Sequence, residues 1–190
     1  MKIKAILFDL DGTLLDTSEF IYQAYDFALN LHKINPPKRK QLAPHIGRDL
    51  VTIYKEIAPE VDPLSLKTAH FAFQEQNFHL IETFPNTDKV LNQLRKKKIK
   101  IGVVTSRLEN TKKTLKAGGL NPDLFDVIIS GDQLTKPKPD PQGVFLALKA
   151  LKVKPSQALM VGDASPDIQM GKDAEVKTVG VTYGFWRRKH

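Results

Sequence analysis

Two carboxylates stand two residues apart in the string Asp9-Leu10-Asp11-Gly12-Thr13, directly after a short apolar run. At the end of a strand, residues i and i+2 point to the same side, so both carboxylates can face one space. There, one can attack phosphorus and form an aspartyl phosphate. The other can protonate the leaving oxygen and afterwards activate water. Gly12 permits a tight turn away from the strand. A plain strand-ending turn draws on the same residue types, but the five residues together ask for more than a turn.

Three further strings supply what such chemistry needs. In Val104-Thr105-Ser106-Arg107, a hydroxyl and the N–H groups that follow it can hold phosphate oxygens; Thr and Ser also cap helices. In Lys136-Pro137-Lys138-Pro139-Asp140-Pro141, Asp140 and Pro141 read as the N-cap and first position of a helix. The prolines stiffen the approach, so a lysine there could be held in place and offset repulsion between Asp9 and a phosphate dianion. A solvated loop lysine is the plainer alternative. In Val161-Gly162-Asp163-Ala164-Ser165-Pro166-Asp167, Asp163 ends a strand and can join Asp9 as a hard oxygen ligand for Mg²⁺. Asp167 falls in the first turn of the next helix, where a carboxylate either ligates the metal or complements the helix dipole.

These strings need a scaffold that brings strand ends together. Residues 3–8, 99–105, 127–130, 158–161 and 176–181 are short apolar runs that suit strands covered on both faces. Helical spacing lies between them: Val90, Leu91 and Leu94 in residues 87–98, and Val144, Phe145, Leu148 and Leu151 in residues 141–151. Alternating strands and helices predict an α/β fold with a Rossmann-like parallel sheet. In such sheets ligands bind at the carboxyl ends of the strands.

One segment breaks the alternation. Residues 16–83 show no strand and predict an inserted α-helical cap domain, with residues 1–15 and 84–190 forming the core. Phe20, Ala24, Phe27, Ala28 and Leu31 form one helical stripe, with capping-box spacing at Asp16 and Glu19 and Pro36-Pro37 as a stop. Leu50, Ile53, Tyr54 and Ile57 form a second, and residues 64–81 a third helical stretch after Pro63.

The 190 residues allow one good-sized domain, or one carrying a smaller insert. The absence of cysteine excludes disulfides and thiolate chemistry. A net charge of +8 favours anionic partners. The first apolar run is cut by Asp9 and Asp11, too early for a signal peptide, and nothing approaches a membrane span. A soluble, cytoplasmic protein is expected.

On these strings the sequence resembles the haloacid dehalogenase superfamily, over essentially the whole chain. Asp9-Leu10-Asp11-Gly12-Thr13 matches the first motif, Thr105 the second, Lys136 the third, and Gly162-Asp163 with Asp167 the fourth. Asp16-Thr17 and Gly180-Val181-Thr182-Tyr183-Gly184 resemble the phosphoglycolate phosphatase-like branch. The resemblance implies a Mg²⁺-dependent phosphatase acting on a small phosphorylated substrate. Asp9 would be the nucleophile and Asp11 the acid/base. Thr105, Ser106, Gly12 and Thr13 would hold the phosphate. Lys136, which stands immediately before the first proline, would pair with Asp9. Asp9, the Asp11 carbonyl, Asp163 and Asp167 would be the metal ligands. An aspartate at position 11 favours phosphoesters over the family's dehalogenase and phosphonatase chemistries.

Arg48, in Ile46-Gly47-Arg48-Asp49-Leu50, lies where related proteins place a substrate-contacting loop, and its guanidinium could hold an anionic substrate end. His45, His70 and His79 read as surface or packing histidines. Two alternatives use the same aspartates: a β-phosphoglucomutase-type mutase and a pyrophosphatase. A third is nucleic-acid binding through Lys38-Arg39-Lys40, residues 95–100 and Arg187-Arg188-Lys189. No stacking aromatics are interleaved there, which counts against it. Relatives continue beyond the Gly-Val-Thr-Tyr-Gly string, so Phe185 and Trp186 are expected to be partly exposed.

Overall fold

Five of the apolar runs become five strands of one parallel sheet. The computed structural model describes residues 2–108 and 110–185. In chain order the elements are β1 (Ala5–Phe8), β2 (Leu15–Asp16), α1 (Ser18–Leu31), α2 (Arg39–Leu42), α3 (Leu50–Ile57), α4 (Pro63–Gln76), β3 (Glu82–Thr83), α5 (Thr87–Lys96), β4 (Lys100–Val104), α6 (Thr111–Ala117), β5 (Val127–Ile129), α7 (Gln142–Leu151), β6 (Ala158–Gly162), α8 (Ser165–Asp173) and β7 (Lys177–Gly180). No helix among the described residues is long and apolar enough to cross a membrane.

The sheet runs β5-β4-β1-β6-β7. Leu7 of the central strand stands level with Gly102 of β4 and Met160 of β6. β1 is almost wholly buried, which is why its sequence is apolar without alternation. α7 packs against β4 and β5, and α8 against β6 and β7. Their inward side chains join Leu7, Val104, Ala158 and Met160 in one apolar cluster with Val144, Leu148, Leu151 and Met170. Truncating fully buried Leu7 to Ala should cost about 2–5 kcal/mol.

The chain divides into two compact units, residues 1–16 with 82–190, and residues 17–81. The first is the α/β unit. Its limits differ from the sequence reading because Leu15 and Asp16 pair antiparallel with Thr83 and Glu82. That two-residue ladder, where the sequence predicts no strand, draws both crossings into the α/β unit. It also defeats the capping box. Asp16 belongs to β2, α1 opens at Ser18 after Thr17, and Glu19 turns to Arg39 and Gln23 instead.

In the helical unit α1 and α3 both pack on α4. Phe20, Ala24 and Ala28 are buried as their spacing predicts, but Phe27 and Leu31 are exposed. Tyr25 and Leu29 complete the inner face. Tyr25 is chosen because it meets Tyr54 of α3 and His70 of α4, at 5.4 and 4.8 Å between ring centres. His70 is therefore a packing histidine with a satisfied ring. Tyr54 Oη lies 2.9 Å from its Nδ1, and Gln74 Nε2 lies 3.0 Å from its Nε2. Of the basic clusters, Arg39 is bound to Glu19 and Arg95 to Asp126; Arg187-Arg188-Lys189 and Trp186 lie outside the described residues.

Candidate active site

Three neighbouring strands, β4, β1 and β6, end side by side and release Thr105, Asp9 and Asp163 at the same sheet edge. The ladder holds these residues in place one step beyond the strands: Asp9 N donates to Val161 O at 2.8 Å, and Thr105 N to Ile129 O at 3.0 Å. After Asp9 the chain turns at once, with Gly12 at φ +85° and its N–H donating to Leu15 O at 2.8 Å. A side chain at Gly12 would be strained by that φ and would also meet Asp163.

Asp9, Asp163 and Asp167 are all buried, and one oxygen from each lies within 4.8 Å of the others. Lys138 reaches into this cluster. Its Nζ donates to Asp9 Oδ1 at 2.5 Å and to Asp167 Oδ1 at 2.7 Å, and its side chain is only 8% exposed. Asp167 also accepts from Ala164 N at 3.1 Å, so it both closes the start of α8 and holds the lysine. Burial pushes the Asp9 carboxyl well above the usual carboxylate range; Asp167 and Asp163 push the same way, against Lys138. Burial would lower Lys138, but Asp167 and Asp9 outweigh it and hold its pKa above that of free lysine.

Three carboxylates gather here around one ammonium, which bonds to Asp9 and Asp167. Ionising all three leaves the cluster two charges short of neutral, in a place where water cannot compensate. That donor set fits a hard divalent cation: oxygen ligands only, converging, with a charge deficit of the right sign.

The lysine is a correction to the sequence reading. Lys136 is 71% exposed, its Nζ 3.6 Å from Asp140 on the surface. The reason is the path of the loop. Gln142 Oε1, at the start of α7, accepts from Thr135 N and Lys136 N, and Asp140 N donates to Pro137 O. The reversal over Pro137–Asp140 turns Lys138, not Lys136, into the cluster. Asp140 accepts from Gln142 N at 2.9 Å, while α7 begins at Gln142, one residue later than expected.

Asp11 lies outside the carboxylate cluster. Arg107 grips it with both arms: Nε to Oδ2 at 3.1 Å and Nη2 to Oδ1 at 2.7 Å. The guanidinium is 9% exposed and the carboxylate 17%. A planar two-point grip of this kind fixes a carboxylate in orientation as well as place. Arg107 closes the Val104–Arg107 string, but its role is not legible there, because a partner 96 residues away carries no local signal.

Thr105 is buried and its Oγ1 accepts from Arg107 N at 3.1 Å, with Ser106 half-buried beside it. Thr13 is buried too, and its Oγ1 has no hydrogen-bond partner among the described residues. A buried hydroxyl in that state is costly unless something else reaches it. Arg48 is in the helical unit, where its guanidinium is taken by Glu56, Nη1 to Oε2 at 3.0 Å and Nη2 to Oε1 at 2.5 Å.

The family model for haloacid dehalogenase-like hydrolases matches residues 6–181. A pyrophosphatase named PpaX, from Bacillus velezensis, is 36% identical over 183 residues, covering 96% of this chain and 84% of that protein. Among solved structures, a haloacid dehalogenase-like hydrolase from Bacteroides fragilis superposes with a TM-score of 0.88 at 29% identity, covering 96% of this chain and 89% of the other. A protein from Haemophilus somnus, described as a predicted phosphoglycolate phosphatase, superposes with a TM-score of 0.88 at 25% identity, covering 97% and 87%.

Proposed function

The chain belongs to the haloacid dehalogenase-like hydrolases and is a phosphatase-type enzyme; from that premise, we propose that it hydrolyses a small phosphorylated substrate through a phosphorylated Asp9, with Mg²⁺ at the buried carboxylates. The observation that carries this reading is the buried Asp9–Lys138–Asp167 bridge beside Asp163, one turn from Asp11. Asp9, Asp163 and Asp167, with the Asp11 carbonyl, would hold the cation, which supplies charge compensation for the carboxylates and the phosphate.

In the first half of the reaction an Asp9 oxygen forms a bond to phosphorus as the bond to the leaving oxygen breaks. Asp11 gives that oxygen its proton. In the second half Asp11 takes a proton from water, whose oxygen attacks phosphorus. The Asp9–phosphorus bond breaks and phosphate leaves. Lys138 keeps the reacting oxygen of Asp9 in place and offsets the charge of the incoming group. Thr105, Ser106, Gly12 and Thr13 line the turn around the phosphate, and the Thr13 hydroxyl is a candidate donor. Arg107 presents Asp11 as an acceptor of two bonds, the form needed toward water. To act as the acid, Asp11 must leave part of that grip. The helical unit would be the cap that selects the substrate, with Arg48 a candidate contact.

A phosphoglycolate-like monoester is the substrate class suggested by the sequence resemblance and by the Haemophilus structure. Pyrophosphate is a second reading, favoured by the printed name of the relative at 36% identity. Phosphate release from phosphoglycolate, pyrophosphate and hexose phosphates, with and without Mg²⁺, tests both. Hexose isomerisation without phosphate release would defeat hydrolysis, and equal activity in the Asp9→Asn variant would defeat the assignment of the nucleophile.

A further inference from the structure

Beyond β7 the chain leaves the sheet and comes back over the site. β7 ends at Gly180, and Val181 N makes the last ladder bond, to Gly162 O at 2.9 Å. The next residues bond to the catalytic turns instead. Phe185 N donates to Asp163 Oδ2 at 2.7 Å. Tyr183 Oη donates to Thr13 O at 3.0 Å, and its ring packs on Phe84 with 4.6 Å between centres. Between them, Gly184 passes so close that a Cβ there would collide with Asp163 Oδ2 and the carbonyl of Gly12. The Phe185 ring borders Gly12 from the same side. None of these contacts completes a sheet or a helix, and both hydrogen bonds end on the two turns that carry Asp9 and Asp163.

We propose that Tyr183–Phe185 is a strap that sets the strength of cation binding: the Phe185 amide orients the Asp163 carboxylate, and Tyr183 pins the Asp9–Thr13 turn against it. This rests on the reading of Asp9, Asp163 and Asp167 as the Mg²⁺ ligands. A carboxylate turning about its last bond presents its oxygens to no fixed point. An N–H donor on Oδ2 stops that rotation and holds the carboxylate in one orientation. The glycine at 184 follows, since the backbone can approach the carboxylate this closely only without a side chain. Tyr183 and Phe185 are positioning residues, since they touch a ligand and a turn, not the reacting atoms.

The test is Mg²⁺ titration of the full-length protein by calorimetry, without substrate. Phe185→Pro removes the amide hydrogen, and Phe185→Ala keeps it while removing the ring. Partners of metal ligands are typically worth about 10–100-fold in affinity. Phe185→Pro and Gly184→Ala should weaken Mg²⁺ by that order, Tyr183→Phe by a few-fold, and Phe185→Ala least. Circular dichroism and the thermal midpoint of the metal-free variants check folding, and Gly184→Ala and Tyr183→Phe stand in if the proline variant unfolds. Wild-type affinity in both Phe185→Pro and Gly184→Ala, with Asp163→Asn losing the metal, would overturn the strap alone. Absence of Mg²⁺ binding by the wild type, or unchanged binding in Asp163→Asn, would overturn both the strap and the cation site beneath it.

Discussion

The two units bury polar groups in opposite ways. In the helical unit the buried polar side chains of the Tyr54–His70–Gln74 chain include no carboxylate, ammonium or guanidinium, each nitrogen of the ring meets a partner, and aromatic rings surround it. The charged pairs of that unit, Arg39 with Glu19 and Arg48 with Glu56, sit at the surface. In the α/β unit one buried cluster sets three carboxylates, Asp9, Asp163 and Asp167, against the single ammonium of Lys138. A satisfied polar chain rigidifies a core at little cost. An unbalanced charged cluster costs stability and is kept where it does chemistry. Buried polarity marks a site only when its charges fail to close.

That contrast breaks most sharply at Asp9. Asp9→Asn should reduce phosphate release by at least about 10⁴-fold. It should also leave the metal-free protein as stable or more so, because it removes one of three repelling carboxylates. Circular dichroism melting checks this, and a large fall in midpoint would mean that the cluster is structural after all. Lys138→Ala should act on both counts. It strands Asp9 and Asp167, costing about 3–5 kcal/mol of stability, and it should lower turnover by roughly 10²–10³-fold. Lys136→Ala should change neither by more than a small margin, and the opposite ranking of the two lysines in a paired assay would reverse the assignment.

Arg107→Lys, which keeps the charge but loses the fork, should cost about 10–100-fold in kcat with a smaller change in KM. An unchanged kcat would leave the Arg107–Asp11 pair as scaffolding. Tyr54→Phe tests the other unit. It removes the partner of His70 Nδ1 and should cost about 1–3 kcal/mol, while kcat measured well below the melting midpoint stays near the wild-type value. A loss of activity there would show that the Tyr54–His70–Gln74 chain does more than pack.

Smallest is Arg39→Gln, which opens a surface pair worth about 0–1 kcal/mol. Hydrogen bonds from Arg39 and Gln23 hold the Glu19 carboxyl below the usual range. Its contribution is therefore present above the ordinary glutamate range and is lost as pH falls through the lowered value. Urea melts of the two proteins should differ slightly near neutral pH and converge in acid.

The sequence was enough for whatever neighbours on the chain decide. Unbroken apolar runs gave five strands, and helical spacing gave α5 and α7. The Asp-x-Asp string directly after β1 was legible, but that only Asp9 of its two carboxylates joins the buried cluster was not. Even within that local range, the periodicity of α1 misjudged its inner face, because a tyrosine reads as polar until a partner such as His70 is in place. What the tertiary structure alone decided lies between residues far apart: Lys138 with Asp9 across 129 positions, Arg107 with Asp11 across 96, and the Phe185 amide with Asp163. Strand and helix periods come from backbone geometry that repeats every few residues, so a sequence displays them. The choice between two lysines two residues apart comes from the direction in which a loop turns and from which buried charge awaits it, and these exist only once the sheet has closed.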